Sequence, residues 1–193
     1  MTPILRRIAC TTLAVTLALP AIAAESFRFD PGHAEVVFSW NHLGLSEQSG
    51  KFVGFGGEVT LDEAAIENSS VRVEIVAESL QTGNPEFDGH LRSDEFFDVT
   101  VHPDISFVST SVQRTGPQTA QITGDLTIKG VTRPVVLAAE LNFIGEHPTK
   151  GHRAAGFHAT TRVLRSDFEL GAFAPLVSDE IEITIATELA ASS

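Results

Sequence analysis

Histidine side chains are the groups of this sequence best suited to bind a metal ion or to move protons. The chain has seven histidines, and we expect three of them, His42, His90 and His102, near one mouth of the fold. None of these three lies at the close spacing of a zinc-binding pair, and the sequence H-E-x-x-H is absent. The sequence therefore predicts no metal site.

Covalent catalysis and phosphate chemistry also lack their usual motifs. Neither G-x-S-x-G nor G-x-x-x-x-G-K-[ST] occurs, and the one cysteine, Cys10, lies close to the N-terminus. The glycine-rich run from Gly54 to Gly57 lies within a strand pattern that no helix follows, so it predicts a bend or bulge rather than a phosphate loop. We expect no catalytic residues, and hence a protein that is not an enzyme.

Residues 1–23 predict a cleaved secretory signal peptide. Arg6 and Arg7 precede a short apolar stretch, and Ala21-Ile22-Ala23 has the small residues of a cleavage site. Because the stretch is too short to span a bilayer, we expect no stable membrane insertion. The sequence thus predicts a periplasmic domain of residues 24–193 that contains no cysteine.

The charge balance limits the partners of this domain. The formal charge is −12, from 13 basic and 25 acidic residues. Loss of residues 1–23 removes two arginines, which leaves 11 basic residues against 25 acidic ones and a charge of −14. Such an acidic surface argues against nucleic acid and against docking on anionic lipid through a basic patch.

Eight segments of the remaining chain alternate apolar and polar residues with the period of two that predicts half-buried strands. They run through residues 36–40, 52–61, 71–75, 105–113, 122–128, 135–143, 157–163 and 181–185. Turn residues such as Lys129-Gly130 separate them. An insertion around residues 84–98 predicts two short helical turns, begun by Asn84-Pro85 and by Ser93.

Antiparallel strands with one apolar face each can close into a barrel or stack as a sandwich. Closure removes the exposed edges, and an eight-stranded barrel has room inside for packed side chains or for one slender ligand. The pattern therefore predicts an all-β, antiparallel fold of eight strands, and closure into a barrel would place the insertion over one mouth. A sandwich with a filled core is the alternative.

Several short runs of the sequence follow one another in a characteristic order. They are Asp30 to His33, Val36 to His42, Asp88 to Asp98, His102 to Phe107, Gly124 to Pro134, Leu164 to Phe168 and Val177 to Ile181. In this order and spacing the chain resembles the YceI-like family, whose members bind lipids of the polyisoprenoid type. The resemblance implies an exported, lipocalin-like barrel that holds a long isoprenoid chain in its lumen, with no cofactor and no established catalysis. Phe87 and Glu169 depart from the family, which commonly has a basic residue and a glycine there.

The predicted ligand-binding residues are the inward side chains of the strands together with side chains of the insertion. They are Phe38, Trp40, His42, Phe52, Val73, Ile75, His90, Leu91, Phe96, Phe97, Phe107, Leu126, Leu137 and Ile183. In one interpretation they enclose a tube that grips a lipid chain, and in the other they form a packed core. His42 continues the inward register of Phe38 and Trp40, so it is placed to meet a ligand head.

Three functions stay open from the sequence. The preferred one is an exported protein that stores or transports a long-chain lipid. The second is an enzyme that acts on an apolar substrate through His42, His90 and Arg92, and the third is a partner-binding sandwich. The sequence also leaves a homodimer open. The scarce basic side chains are expected to be solvated turn charges or partners of acidic groups rather than phosphate ligands; they include Arg92, Lys129, Arg133, Arg162 and Arg165.

Overall fold

A computed structural model describes residues 24–192, which form mostly strands, together with one α-helix, three short 3-10 helices and the connecting turns and loops. The predicted signal peptide, residues 1–23, lies outside the described residues. The strands and the helix are β1 (Glu25–His42), β2 (Ser46–Phe52), β3 (Phe55–Leu61), β4 (Ser70–Val76), β5 (Leu80–Gln81), α1 (Pro85–Arg92), β6 (Asp104–Arg114), β7 (Thr119–Ile128), β8 (Val131–Glu146), β9 (Arg153–Leu164) and β10 (Glu180–Ala191). Within residues 24–192, no helix has the length and apolar character needed to cross a bilayer.

The strands close into an antiparallel barrel. The sheet runs β10-β9-β8-β7-β6-β4-β3-β1, and β1 pairs with β10 to complete the circle of eight. β2 and β3 pair with successive parts of β1, so they act as one long strand that is broken between Phe52 and Phe55, and β5 lies beside β2. This arrangement confirms the predicted eight-stranded barrel, and the alternative of a sandwich is wrong.

Glycine residues between β2 and β4 allow the chain to bend where the long strand is broken. A Cβ atom on Gly57 would lie 2.0 Å from the carbonyl oxygen of Arg72, and the φ angle of Gly57 is +143°. Only glycine meets both conditions, because it has no Cβ and tolerates positive φ. The glycine-rich run is therefore a bend in the barrel, as predicted.

A bulge in β1 changes which alternate residues of this strand face the barrel interior. The register with β10 shifts between Phe29 and Ala34, so odd-numbered residues before the bulge and even-numbered residues after it face inward. Within the bulge, the Asp30 carboxylate accepts hydrogen bonds from the Gly32 N–H (2.9 Å) and the Lys150 ammonium group (3.0 Å). These bonds hold the pKa of Asp30 well below its usual value.

The insertion forms one helix followed by turns. The Asn84 side chain accepts from the N–H groups of Glu86 (3.1 Å) and Phe87 (3.4 Å), and Pro85 occupies the first helical position, as predicted. The prediction that Ser93 begins a second helical turn is wrong. Its hydroxyl donates to the carbonyl of His90 (2.7 Å), so Ser93 caps the end of α1 instead.

Two apolar clusters occupy the interior. The larger one joins the inward strand residues to α1 and the turns after it. The smaller one consists of Phe27, Val59, Leu61, Ala155 and Leu189, and it lies where β1 begins and β10 ends. We call this end of the barrel the opposite end, and we call the end that carries α1 and the segment 169–179 the α1 end.

Candidate functional site

The barrel encloses an apolar cavity of about 600 Å³. Its size lies within the range of about 300–1,000 Å³ that is typical of small-molecule sites. Side chains from every strand of the closed circle line it, and so does α1. The cavity contradicts the hypothesis of a filled core, because the inward side chains surround a space instead of filling it.

Every residue that the sequence predicted for ligand binding lies along this cavity. They are Phe38, Trp40, His42, Phe52, Val73, Ile75, His90, Leu91, Phe96, Phe97, Phe107, Leu126, Leu137 and Ile183. That these side chains contact a ligand stays a prediction. The prediction missed other lining residues, among them Phe29, which the β1 bulge turns inward, and Phe173 and Leu176, which lie in a loop without periodicity.

A continuous series of aromatic rings leads from the barrel interior to the α1 end. Neighbouring rings in the series have centroids 5.0–6.5 Å apart. The order is Phe52, Phe97, Phe38, Trp40, Phe87, His90, Phe96 and Phe173. Such a surface suits a flexible apolar chain, because aromatic rings offer large contact area at little cost in conformational entropy.

Two glycines in the barrel wall leave room for phenylalanine rings from the neighbouring strands. Gly50 on β2 pairs with Phe38 on β1, and a Cβ atom on Gly50 would lie 2.5 Å from Cζ of that ring. A Cβ atom on Gly124 would lie 2.4 Å from Cζ of Phe107. Each ring therefore occupies the space that a side chain on its neighbouring strand would fill, and the centre of the lumen stays open.

The α1 end of the cavity has an apolar rim. Leu43, Phe173 and Leu176 line the cavity and are also exposed, and Leu45 beside them is 81% exposed. A hydrogen bond from the Leu43 N–H to the Leu176 carbonyl (3.1 Å) joins the two loops that form the rim. Leu43 and Phe173 have φ angles of +58° and +64°, which are strained for such residues. The chain thus holds apolar side chains at the opening despite that strain.

Two of the three candidate histidines line the cavity, and the third does not. His42 and His90 line the cavity at the α1 end, and Nδ1 of His90 lies 3.8 Å from the carboxylate of Glu95. His102 instead contacts the β7–β8 turn, where a Cβ atom on Gly130 would lie 3.0 Å from its ring. Among residues 24–192, none of these histidines belongs to a group of three potential metal ligands.

Arg165 is a buried structural residue, and the expectation of a solvated turn charge is wrong for it. Its guanidinium donates to the carbonyls of Ser178 (2.8 Å), Ala172 (2.7 Å) and Val177 (3.0 Å), and also to that of Leu170. Burial lowers the pKa of this guanidinium. The side chain consequently ties the end of β9 to the loop that supplies part of the rim.

The fold and the cavity define the structural class of the protein. A closed eight-stranded antiparallel barrel around an apolar lumen has the architecture of the lipocalins, whose barrels hold one small ligand. The YceI-like domain is matched over residues 27–189, which is nearly all of the described barrel. The chain belongs to the YceI-like family.

Relatives and solved structures agree with this assignment. A UPF0312 protein of Ectopseudomonas mendocina is 42% identical over 156 residues, which cover 81% of each chain. The YCEI protein of Campylobacter jejuni has a similar structure, with a TM-score of 0.72 and 29% identity over 79% of this chain and 90% of that one. A polyisoprenoid binding domain from Saccharophagus degradans shares the fold, with a TM-score of 0.63 and 12% identity over 88% of this chain and all of that one.

Proposed function

We propose that the protein binds a long-chain isoprenoid or a similar lipid inside its barrel and stores or transports it in the periplasm. The observation that carries the proposal is the apolar cavity of about 600 Å³, which runs from the rim at the α1 end toward the cluster at the opposite end. The polyisoprenoid binding domain of Saccharophagus degradans, which has the same fold, supports the choice of lipid. The predicted signal peptide supports export.

The dimensions of the barrel suit a long chain lying along its axis. β9 and β10 have 12 residues each. Strands of this length extend for roughly 40 Å, or roughly 30 Å along the axis of a barrel whose strands tilt by about 40°. Transfer of each methylene from water to an apolar site contributes about 0.8 kcal/mol, so ten methylenes supply about 8 kcal/mol before the entropic cost of binding is subtracted.

The enzyme hypothesis has less support from the site. Arg92 donates to the carbonyl of Leu80 and lies 3.7 Å from the carboxylate of Glu78, so it holds the insertion in place. Family and fold neighbours point to a binding protein. Replacement of His42, His90 and Arg92 by alanine tests the hypothesis, since it requires that any turnover measured with the wild type be lost.

Tryptophan fluorescence provides a direct binding assay. The chain has one tryptophan and no tyrosine, and that tryptophan, Trp40, lines the cavity. Titration with geranylgeraniol is expected to change the Trp40 emission and to saturate at one molecule per barrel. An emission that stays constant up to the solubility limit of the alcohol would contradict the proposal.

A matched pair of variants separates the cavity from the outer surface. Leu137 and Val136 are neighbours on β8, but Leu137 is 8% exposed and lines the cavity, whereas Val136 is 48% exposed. We expect Leu137→Gln to weaken binding of geranylgeraniol and Val136→Gln to leave it unchanged, with circular dichroism to confirm that both remain folded. Equal binding by the two folded variants would contradict the lumen as the site.

A further inference from the structure

The apolar rim of the α1 end consists of four exposed side chains, which are those of Leu43, Leu45, Phe173 and Leu176. Binding of a lipid inside the barrel does not by itself require them. We propose that the rim docks reversibly on the surface of a zwitterionic lipid bilayer, so that the mouth of the cavity opens directly against the membrane. This inference rests on the proposed function, since it concerns how the barrel takes up and releases its lipid.

The rim is a cluster of large apolar side chains in contact with water. Their exposed fractions range from 48% for Leu43 to 81% for Leu45. The two loops that supply them are adjacent, because the Leu43 N–H donates to the Leu176 carbonyl. Single apolar residues are common on protein surfaces, whereas a cluster of large ones marks a site of interaction.

The two loops of the rim contain no charged residue. Residues 41–46 and 170–178 lack Asp, Glu, Lys and Arg, although these four types make up 20% of the chain. The charged residues that directly adjoin the loops in sequence are all acidic, namely Glu47, Glu169 and Asp179. A zwitterionic surface therefore suits the rim, whereas the acidic residues beside it would be repelled by an anionic bilayer.

The backbone holds the rim side chains in their exposed positions. The Ser178 N–H donates to the Asn41 carbonyl (3.0 Å), and the Asn41 N–H donates to the Ser178 hydroxyl (2.9 Å). The Arg165 guanidinium donates to four carbonyls of residues 170–178. Because these bonds fix both loops, the rim stays in water, and contact with an apolar partner removes that unfavourable exposure.

The two ends of the cavity differ in polarity. At the opposite end, the residues that line the cavity include Arg114, Gln118 and Thr119. The Arg114 guanidinium is exposed there and donates to the carbonyl of Pro117 (3.4 Å). A guanidinium is costly to transfer from water to hydrocarbon. The α1 end is therefore the end that suits a membrane.

The double role of three rim residues favours a bilayer as the partner. Leu43, Phe173 and Leu176 line the cavity and are exposed at the same time. With the rim among the lipids, these side chains connect the hydrocarbon of the bilayer to the lumen, so a lipid chain passes between them without crossing water. A protein partner would form hydrogen bonds across the interface, and the four rim side chains have no polar atom to offer.

Flotation with vesicles tests the inference without any ligand. The wild type is expected to float with phosphatidylcholine vesicles, and Leu45→Gln is expected to lower its partition onto them roughly tenfold. Leu45 is exposed and lies outside the cavity lining, so the substitution preserves the fold and the lumen. Val136→Gln, which removes an exposed apolar side chain from the outer wall, is expected to float as the wild type does. No flotation of the wild type, or equal flotation of all three proteins, would overturn the inference.

Two further measurements distinguish other partners of this end. Phosphatidylglycerol in the vesicles is expected to weaken flotation; stronger, salt-sensitive flotation would overturn the inference and assign docking to cations at the same end, such as Lys129, which contacts Asp94. Native mass spectrometry is expected to show the same oligomeric state for the wild type and Leu45→Gln. A dimer that this substitution dissociates would overturn the inference, because a second copy of the chain would then cover the rim.

Uptake of lipid from vesicles connects the rim to the proposed function. Phosphatidylcholine vesicles that contain geranylgeraniol are mixed with the protein, and the Trp40 emission is followed in time. The rate is expected to rise with vesicle concentration and to be several-fold lower for Leu45→Gln, with the same final emission. A rate that does not depend on vesicle concentration would overturn the inference, because the alcohol would then travel through water. A Trp40 emission that responds to geranylgeraniol neither in vesicles nor in solution would instead contradict the proposed function, whatever the flotation result.

Discussion

Gly50→Ala is predicted to shorten the usable part of the cavity without unfolding the barrel. The new Cβ atom would lie 2.5 Å from Cζ of Phe38, whereas ordinary contacts begin at 3.4 Å, so the ring must retreat by about 1 Å. Phe38 already packs against Trp40, Phe52 and Phe97, with ring centroids 5.8, 5.4 and 6.5 Å away. The direction that remains open to the ring is the lumen.

The expected loss of binding free energy follows from the part of the lipid chain that the displaced Phe38 ring would exclude from the cavity. Loss of contact for two methylenes of a bound lipid removes about 1.6 kcal/mol, which weakens binding by roughly tenfold. The variant is expected to lose about 1 kcal/mol of stability, at the low end for an overpacked site, because the cavity gives the ring room to move. Binding should therefore change more than folding.

The assay is titration of Trp40 fluorescence with geranylgeraniol and with the shorter geraniol. Gly50→Ala should bind geranylgeraniol roughly tenfold more weakly and geraniol nearly as the wild type does. Gly56→Ala is the control, because a Cβ atom there has no neighbouring atom within 4 Å. Wild-type affinity of Gly50→Ala for the longer alcohol, or an equal loss for both alcohols, would refute the role assigned to the Phe38 ring.

Three further predictions concern stability, and urea unfolding measures each of them. Gly124→Ala should destabilise the barrel by about 2 kcal/mol or more, because its Cβ atom would lie 2.6 Å from the backbone carbonyl oxygen of Val108, which cannot move aside as a ring can; a loss as small as that of Gly50→Ala would contradict this. Arg165→Met should cost at least about 2 kcal/mol, since four carbonyls lose their donor, and a stability equal to the wild type would refute the structural role of the guanidinium. Because the pKa of Asp30 is lowered in the folded state, its ionised form stabilises the fold above the usual pKa of 3.8, and this contribution is lost as the pH falls below that value. The stability difference between the wild type and Asp30→Asn should therefore be constant above about pH 5 and shrink in acid, and a difference that grows in acid would contradict the assignment.

Alternation of apolar and polar residues in the sequence predicted the strands that have one face toward the barrel interior and the other toward solvent. β2 was missed over most of its length because residues 46–51 are polar on both faces, and only Gly50 and Phe52 of the strand are buried. The inward turn of Phe29 could not be predicted, since it depends on a bulge that shifts the register of β1 against β10.

Other parts of the site depend on contacts that leave no pattern in a sequence. Arg165 appears as a polar residue in a turn, because its partners are backbone carbonyls that any residue types could supply. The packing of Gly50 against Phe38 follows from the strand register and not from the spacing of the two residues. Ser93 was assigned to the start of a helix because two acidic residues follow it, as is typical of a helix N-terminus, whereas its hydroxyl donates to the carbonyl of His90 at the end of α1.

The proposed function requires that the lumen hold a lipid chain. Native mass spectrometry of the protein purified from the periplasm of producing cells tests this most directly. The predicted result is a complex that exceeds the polypeptide mass by one long-chain lipid, together with loss of that extra mass in folded Leu137→Gln. A bare polypeptide mass that stays unchanged after incubation with prenyl alcohols would contradict the claim.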